Sequence, residues 1–169
     1  LRRWLDNSYQ GTMNCMSEHG DKRYNVDKLV ARTLRVITVR MDYLADENMV
    51  AVLKDKNKAY ISRYALGRDY HKLIRKRLAE LTRKIEQHLP HLNLSQRPFV
   101  DSAPVMEKPL AEQAGLGWIG KNSLLINSKA GSWFFLGEIY TSVPLPVDNL
   151  EQPNRCGNCR ACIKVCSTS

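Results

Sequence analysis

The chain has 169 residues, 26 Lys and Arg against 17 Asp and Glu, a formal charge of +9 and five cysteines. Hydrophobic residues make up 43% and charged residues 25%, which gives enough apolar chain for a core and excludes a disordered, collagenous or low-complexity polypeptide. No apolar run approaches the ~20 residues of a membrane-spanning helix, so no membrane role is expected.

Residues 1–8 read as the end of a helix, closed by a polar turn at Gly11. The opening Leu1-Arg2-Arg3-Trp4 has neither an initiator Met nor a signal-type apolar run, so the chain is expected to begin inside a longer protein. Residues 12–19 form a short helical candidate with Gly20 as its stop, and residues 26–30 are ambiguous. Residues 34–41 are rich in β-branched side chains and predict a buried strand, with a second strand at 60–64.

The positive charge is local. Between Lys54 and Glu86 there are eleven Lys and Arg and four Asp and Glu, so 33 residues carry +7. Two readings stand: a solvated helix face, or a surface that tracks phosphates, with Tyr60, Tyr64 and Tyr70 interleaved as base-stacking or core residues.

Residues 69–89 predict the strongest helix. Leu73, Ile74, Leu78, Leu81, Ile85 and Leu89 recur at three- and four-residue steps, Asp69 suits the N-cap, and Pro90 stops the run. A short strand is expected at 98–101, a helix at 107–114 stopped by Gly115, and strands at 123–127 and 132–141 joined by a turn at 129–131. Residues 143–153 hold three of the seven prolines and read as a linker. This mixture, without regular alternation, suggests an α+β sandwich.

Asp101 follows Phe99-Val100, at the end of the expected strand. A carboxyl there is either a turn or cap residue, the reading favoured by the residues alone, or a general acid tuned by a partly dry pocket. Gly115-Leu116-Gly117-Trp118-Ile119-Gly120 spells a dinucleotide fingerprint, but a helix precedes it and a strand follows, the reverse of what the fingerprint needs. The phosphate-loop reading fails at Asn122, where Ser or Thr is required. What remains is a backbone open to close approach, by a planar or polyanionic ligand near Trp118 and Lys121 or by the chain's own core.

Four of the five cysteines crowd the last fourteen residues as Cys156-x2-Cys159-x2-Cys162-x3-Cys166. Clustering of this kind points to a metal or cluster site in a reducing compartment rather than to disulfides. The spacing fits the bacterial 4Fe–4S run, whose fourth cysteine usually serves a second cluster. Structural zinc is the alternative, although it normally uses two separated Cys-x2-Cys arms. The run stops three residues from the end, so a C-terminal part is expected to be missing. Cys15, far from the run, reads as a small buried hydrophobe.

Several segments together resemble the epoxyqueuosine reductase family. They are residues 62–72 (Ser-Arg-Tyr-Ala-Leu-Gly-Arg-Asp-Tyr-His-Lys), 99–104 (Phe-Val-Asp-Ser-Ala-Pro), 109–122, 134–138 (Phe-Phe-Leu-Gly-Glu), Pro144-Leu145-Pro146 and the cysteine run. The resemblance implies a cytoplasmic, monomeric oxidoreductase that reduces epoxyqueuosine to queuosine at the wobble position of tRNA. It implies cobalamin and two 4Fe–4S clusters, an external electron donor, and the tRNA anticodon arm as partner, held by the basic segment. It implies a nitroreductase-like cobalamin domain over 1–150 and the beginning of a ferredoxin-like domain over 151–169. Asp101 matches the family's proton donor. Cys156, Cys159 and Cys162 match ligands of the first cluster, and Cys166 a ligand of the second. Cobalamin contacts are expected near Tyr64, Asp101 and residues 125–136, from Leu125 to Leu136. The chain departs from the family pattern at Gln10, Ala31-Arg32, Asp42 and Ser167, and lacks the family's second cysteine motif and helical tail. An iron–sulfur electron carrier and a zinc-stabilised nucleic-acid-binding module are the competing functions.

Overall fold

The structure is a computed structural model and describes residues 1–43, 49–150 and 152–167. In chain order the helices are α1 (Arg2–Asp6), α2 (Val26–Leu29), α3 (Met49–Lys54), α4 (Tyr70–His88), α5 (Glu107–Gln113) and α6 (Ala161–Lys164). The strands are β1 (Arg35–Asp42), β2 (Gln96–Phe99), β3 (Trp118–Ile119), β4 (Leu125–Ile126) and β5 (Phe134–Thr141).

The main sheet has the order β1-β5-β2, with both outer strands antiparallel to β5. Side chains alternate across it. One face presents Ile37, Val39, Met41, Phe135 and Ile139, and α4 covers it with Ile74 and Leu78. The opposite face presents Val36, Phe99 and Tyr140, covered by Leu110 of α5 and by Val26 and Leu29 of α2. Helices on both faces of a sheet make the mixed α/β sandwich expected from the sequence. A second ribbon, β3 with β4, pairs Trp118 with Ile126 and Ile119 with Leu125.

Gly137 lies where α4 presses on β5. A Cβ there would sit 3.0 Å from Leu78 Cδ1 and 3.1 Å from Ile74 Cγ2. Gly137→Val is expected to cost about 1–3 kcal/mol by overpacking, read as a lowered Tm. An unchanged Tm would show that α4 does not sit this close to the sheet.

Several expectations need correction. The buried face of α4 is Ile74, Leu78 and Thr82, while Leu73 and Leu81 are 40% and 37% exposed at its margins. The helix expected at 12–19 is only a 3-10 turn, Asn14–Met16, because Asn14, Ser17 and Gly20 favour turns. Gly20, with φ 48°, opens the next 3-10 turn instead of ending a helix. Residues 60–64 form no strand: no sheet edge meets them, and they end in the turn Arg63–Ala65. β2 starts and ends two residues earlier than expected, because the backbone turns left-handed at Asp101, φ 51°. Cys15 is exposed. Residues 143–150 of the expected linker carry no regular structure but pack on the domain, with Val143 buried and the Leu145 carbonyl accepting from Arg35; residue 151 lies outside the described residues. No helix among the described residues is long and apolar enough to cross a membrane.

Candidate functional site

Asp101 stands just beyond the end of β2, its side chain 56% exposed. Its backbone N–H donates to Glu107 Oε1 at 2.6 Å, and its carboxylate Oδ2 accepts from the Tyr70 hydroxyl at 2.7 Å. His71 Nε2 faces the same oxygen at 3.3 Å. Asp101 caps no helix; three side chains from α4 and α5 hold it. The left-handed backbone is one that Asp tolerates better than most residues.

The sequence builds this frame locally. Asp69 caps α4 as expected, accepting from the His71 N–H at 2.9 Å, and its Oδ1 also faces His71 Nδ1 at 3.0 Å. The bond to the His71 side chain holds the Asp69 carboxyl below the usual carboxylate range. The first turn of α4 therefore points Tyr70 and His71 at Asp101. The Tyr70 ring stacks on Phe135 of β5 (4.0 Å, 10°) and on His71 (4.0 Å, 26°). Burial and then the bond to Asp101 raise the Tyr70 phenol well above its usual value, so it stays a donor.

Behind Asp101 lie two further carboxyls. Glu138 of β5 is fully buried, and neither of its oxygens is met by a conventional hydrogen-bond donor among the described residues. The Glu107 carboxyl lies against it. Two adjacent buried carboxyls cannot both be charged. Burial first, and then Glu107, pushes Glu138 far above the ordinary range; Glu107 is raised too, mainly by burial.

The remaining expected contacts are distributed as follows. Tyr64 is 52% exposed, in the short turn before α4. Leu125 is buried with Ala111 and Phe134, and Leu136 packs on that cluster, so both side chains serve the core. Lys108 at the start of α5 donates to the Ser123 carbonyl at 2.7 Å. Asp101, the start of α5, the 123–125 segment and the start of β5 thus gather at one edge of the sandwich, where Leu124 is 48% exposed.

The glycine turn has a structural answer. A Cβ at Gly117 or Gly115 would collide with the backbone of Ile126 or Leu150, so what approaches closely is the chain's own backbone. Lys121 reaches the cysteine segment, donating to the carbonyls of Gly157 (2.7 Å) and Cys159 (2.9 Å). The Lys121 backbone N–H, then the buried Trp118 indole N–H, hold the Cys156 thiol below its usual value. Of the four cysteines, Cys159 and Cys166 are exposed and Cys156 and Cys162 half-buried. Among the described residues, no three His, Cys, Asp or Glu side chains are gathered around a single-ion position.

Apart from Arg63, the basic residues of 54–86 are exposed, and Lys72, Lys76, Arg83 and Lys84 crowd the outer side of α4. Tyr60 is 41% exposed, so it and Tyr64 belong to this surface, whereas Tyr70 belongs to the Asp101 frame. His71, Glu107 and Glu138 were not singled out from the sequence, and Tyr70 was read only as a base-stacking or core residue, not as a partner of Asp101. The one available signal was Glu138, a lone acid inside the otherwise uncharged strand β5.

Comparison with known proteins agrees with this picture. Residues 23–102 match the family model for epoxyqueuosine reductase QueG, DUF1730. Over its whole length the chain is 56% identical to the epoxyqueuosine reductase of Pseudomonas aeruginosa, covering 46% of that protein. Two solved structures share the fold. One is epoxyqueuosine reductase from Streptococcus thermophilus (TM-score 0.81, 23% identity, 98% of this chain and 45% of the other). The other is an epoxyqueuosine reductase with an epoxyqueuosine-modified tRNA-Tyr stem loop (TM-score 0.81, 22% identity, 98% and 44%). The chain resembles these reductases from end to end and spans slightly under half the length of the relatives it matches.

Proposed function

We propose that this chain is the catalytic portion of an epoxyqueuosine reductase, acting on tRNA in the cytoplasm. Residues 1–150 are read as a nitroreductase-like cobalamin domain and residues 151–169 as the start of a ferredoxin-like cluster domain. The observation that carries the proposal is Asp101: a carboxyl on an open face, held at 2.7 Å by the Tyr70 hydroxyl, in a chain that resembles these reductases throughout.

Converting the epoxide to the alkene of queuosine breaks both C–O bonds and takes two electrons and two protons, the oxygen leaving as water. Asp101 delivers a proton to that oxygen as the first C–O bond breaks, so that no unprotected alkoxide develops. Tyr70 and His71 fix the carboxyl for that transfer. The edge where Asp101, the 123–125 segment and the start of β5 gather fits cobalamin in kind, with Leu124 exposed and the Tyr70 ring stacked on Phe135, and Tyr64, in the turn before α4, is read as a further contact. The cysteine segment fits clusters in its donor set, four closely spaced thiols of which Cys156 is held below the usual thiol value, chiefly by the Lys121 backbone N–H. Bound there, cobalamin would supply reduction at cobalt and the clusters the electrons of an external donor. The protein binds as a monomer to the anticodon arm, with the outer side of α4 against its phosphates.

Cobalamin added to the anaerobically prepared full-length protein is expected to bind and shift its spectrum. A brown protein that leaves cobalamin unperturbed would instead be an electron carrier. In the same protein, Lys72→Ala with Lys76→Ala is expected to weaken binding of a tRNA stem loop. The slope of log K against log salt should flatten by about 0.7–0.9 for each phosphate that is no longer neutralised. Unchanged affinity and slope would move the tRNA elsewhere.

A further inference from the structure

Glu138 has no role in the chemistry above, yet it occupies the middle of the sheet. It sits on β5 between Thr38 of β1 and Phe99 of β2, with no exposure to solvent. Around it are Tyr140 two residues along its own strand, Glu107 from α5, and, beyond Glu107, Asp101 and His71. Arg40, the cation on this face of β1, is turned to the Phe134 ring and to Asp42. No cation meets Glu138 among the described residues. An ionised carboxylate without a donor in such a place is strongly disfavoured. A neutral carboxyl is not, because it has a proton to donate, and the Glu107 carboxylate is there to accept it.

We propose that Glu138 is a positioning residue for Asp101: its protonated carboxyl donates to Glu107, and Glu107, through its 2.6 Å bond from the Asp101 N–H, holds the Asp101 turn in its left-handed form. This rests on the reading of Asp101 as the proton donor. The buried end of the chain of carboxyls is anchored in the central strand, paired on both sides. The exposed end is the carboxyl that Tyr70 and His71 grip from α4. Asp101 is thus fixed from both faces of the sheet, through its backbone on one side and its side chain on the other.

The test uses the full-length, cofactor-loaded enzyme with epoxyqueuosine-bearing stem loop. Glu138→Gln keeps shape and an N–H donor to Glu107, so it should retain most of the turnover. Glu138→Met keeps volume without the donor and should lower kcat by about 10- to 100-fold with KM little changed. The raised pKa of Glu138 gives the pH arm its sign. The folded state keeps a proton that the unfolded chain releases, so wild-type stability falls as pH climbs from the ordinary carboxyl range toward the raised value. Glu138→Gln removes the share of that fall due to Glu138, leaving the smaller part due to the buried Glu107, and keeps its turnover at alkaline pH where the wild type declines.

Two results would overturn the proposal: full turnover by Glu138→Met, or wild-type and Glu138→Gln profiles that coincide at every pH. If Glu138→Met does not fold, the Gln profile decides alone. Absence of turnover in the wild type itself would count against the reductase reading. The stability slopes, which need no substrate, would still report whether Glu138 is neutral.

Discussion

Asp101→Asn in the full-length enzyme is expected to abolish conversion of epoxyqueuosine while leaving the cobalamin and cluster spectra unchanged. The substitution is clean for a structural reason. Asn adopts the left-handed backbone at least as readily as Asp, so the turn at φ 51° is kept. Its amide oxygen can still accept from Tyr70, and its backbone N–H still reaches Glu107. What disappears is the acidic proton. A positioned general acid typically contributes about 10²–10⁴ in rate, and turnover, read as queuosine in hydrolysed tRNA, should drop by that order. Normal turnover would remove Asp101 from the chemistry.

Replacing Cys156 or Cys162 with Ala should be as severe, by a different route. The cysteines are the only soft ligands in the described C-terminal segment, and Lys121 ties that segment to the domain through the Gly157 and Cys159 carbonyls. Loss of either should strip iron from the first cluster, diminish the broad absorbance near ~400 nm and reduce turnover to background. Cys15→Ala is the control: that thiol is exposed and far from the run, and its loss should leave iron content unchanged. Colourless wild-type protein carrying stoichiometric zinc would favour the zinc-stabilised binder instead.

The long elements were legible because their periodicity spans several turns or pairs. β1, α4, α5 and β5 all lie close to where alternation, apolar stripe, caps and stop residues put them. Among the short ones, β4 falls inside the strand expected at 123–127, whereas the two-residue β3 was not legible, because its pairing depends on glycines that let the turn fold back on Ile126. The stripe of α4 was read too broadly, because apolar residues at its margins, Leu73 and Leu81, match the period without facing the sheet.

The site was legible one residue at a time. Asp101 drew notice by its position after a strand, and the cysteines by their spacing. Its partners did not, because Tyr70 is 31 positions away and Glu138 meets it only through Glu107. Contacts of this range are set by the register of β2 on β5 and by the seating of α4, and no local pattern encodes them. The glycine-rich turn illustrates the opposite case: a ligand-like motif whose close approach serves the chain's own packing.

The most direct test of the central claim is nucleoside analysis of a stem loop bearing epoxyqueuosine after incubation with the full-length protein, cobalamin and a reductant under anaerobic conditions. Queuosine should form, and Asp101→Asn should leave the epoxide intact. Unconverted epoxyqueuosine in the presence of wild-type protein with both cofactors bound would contradict the assignment.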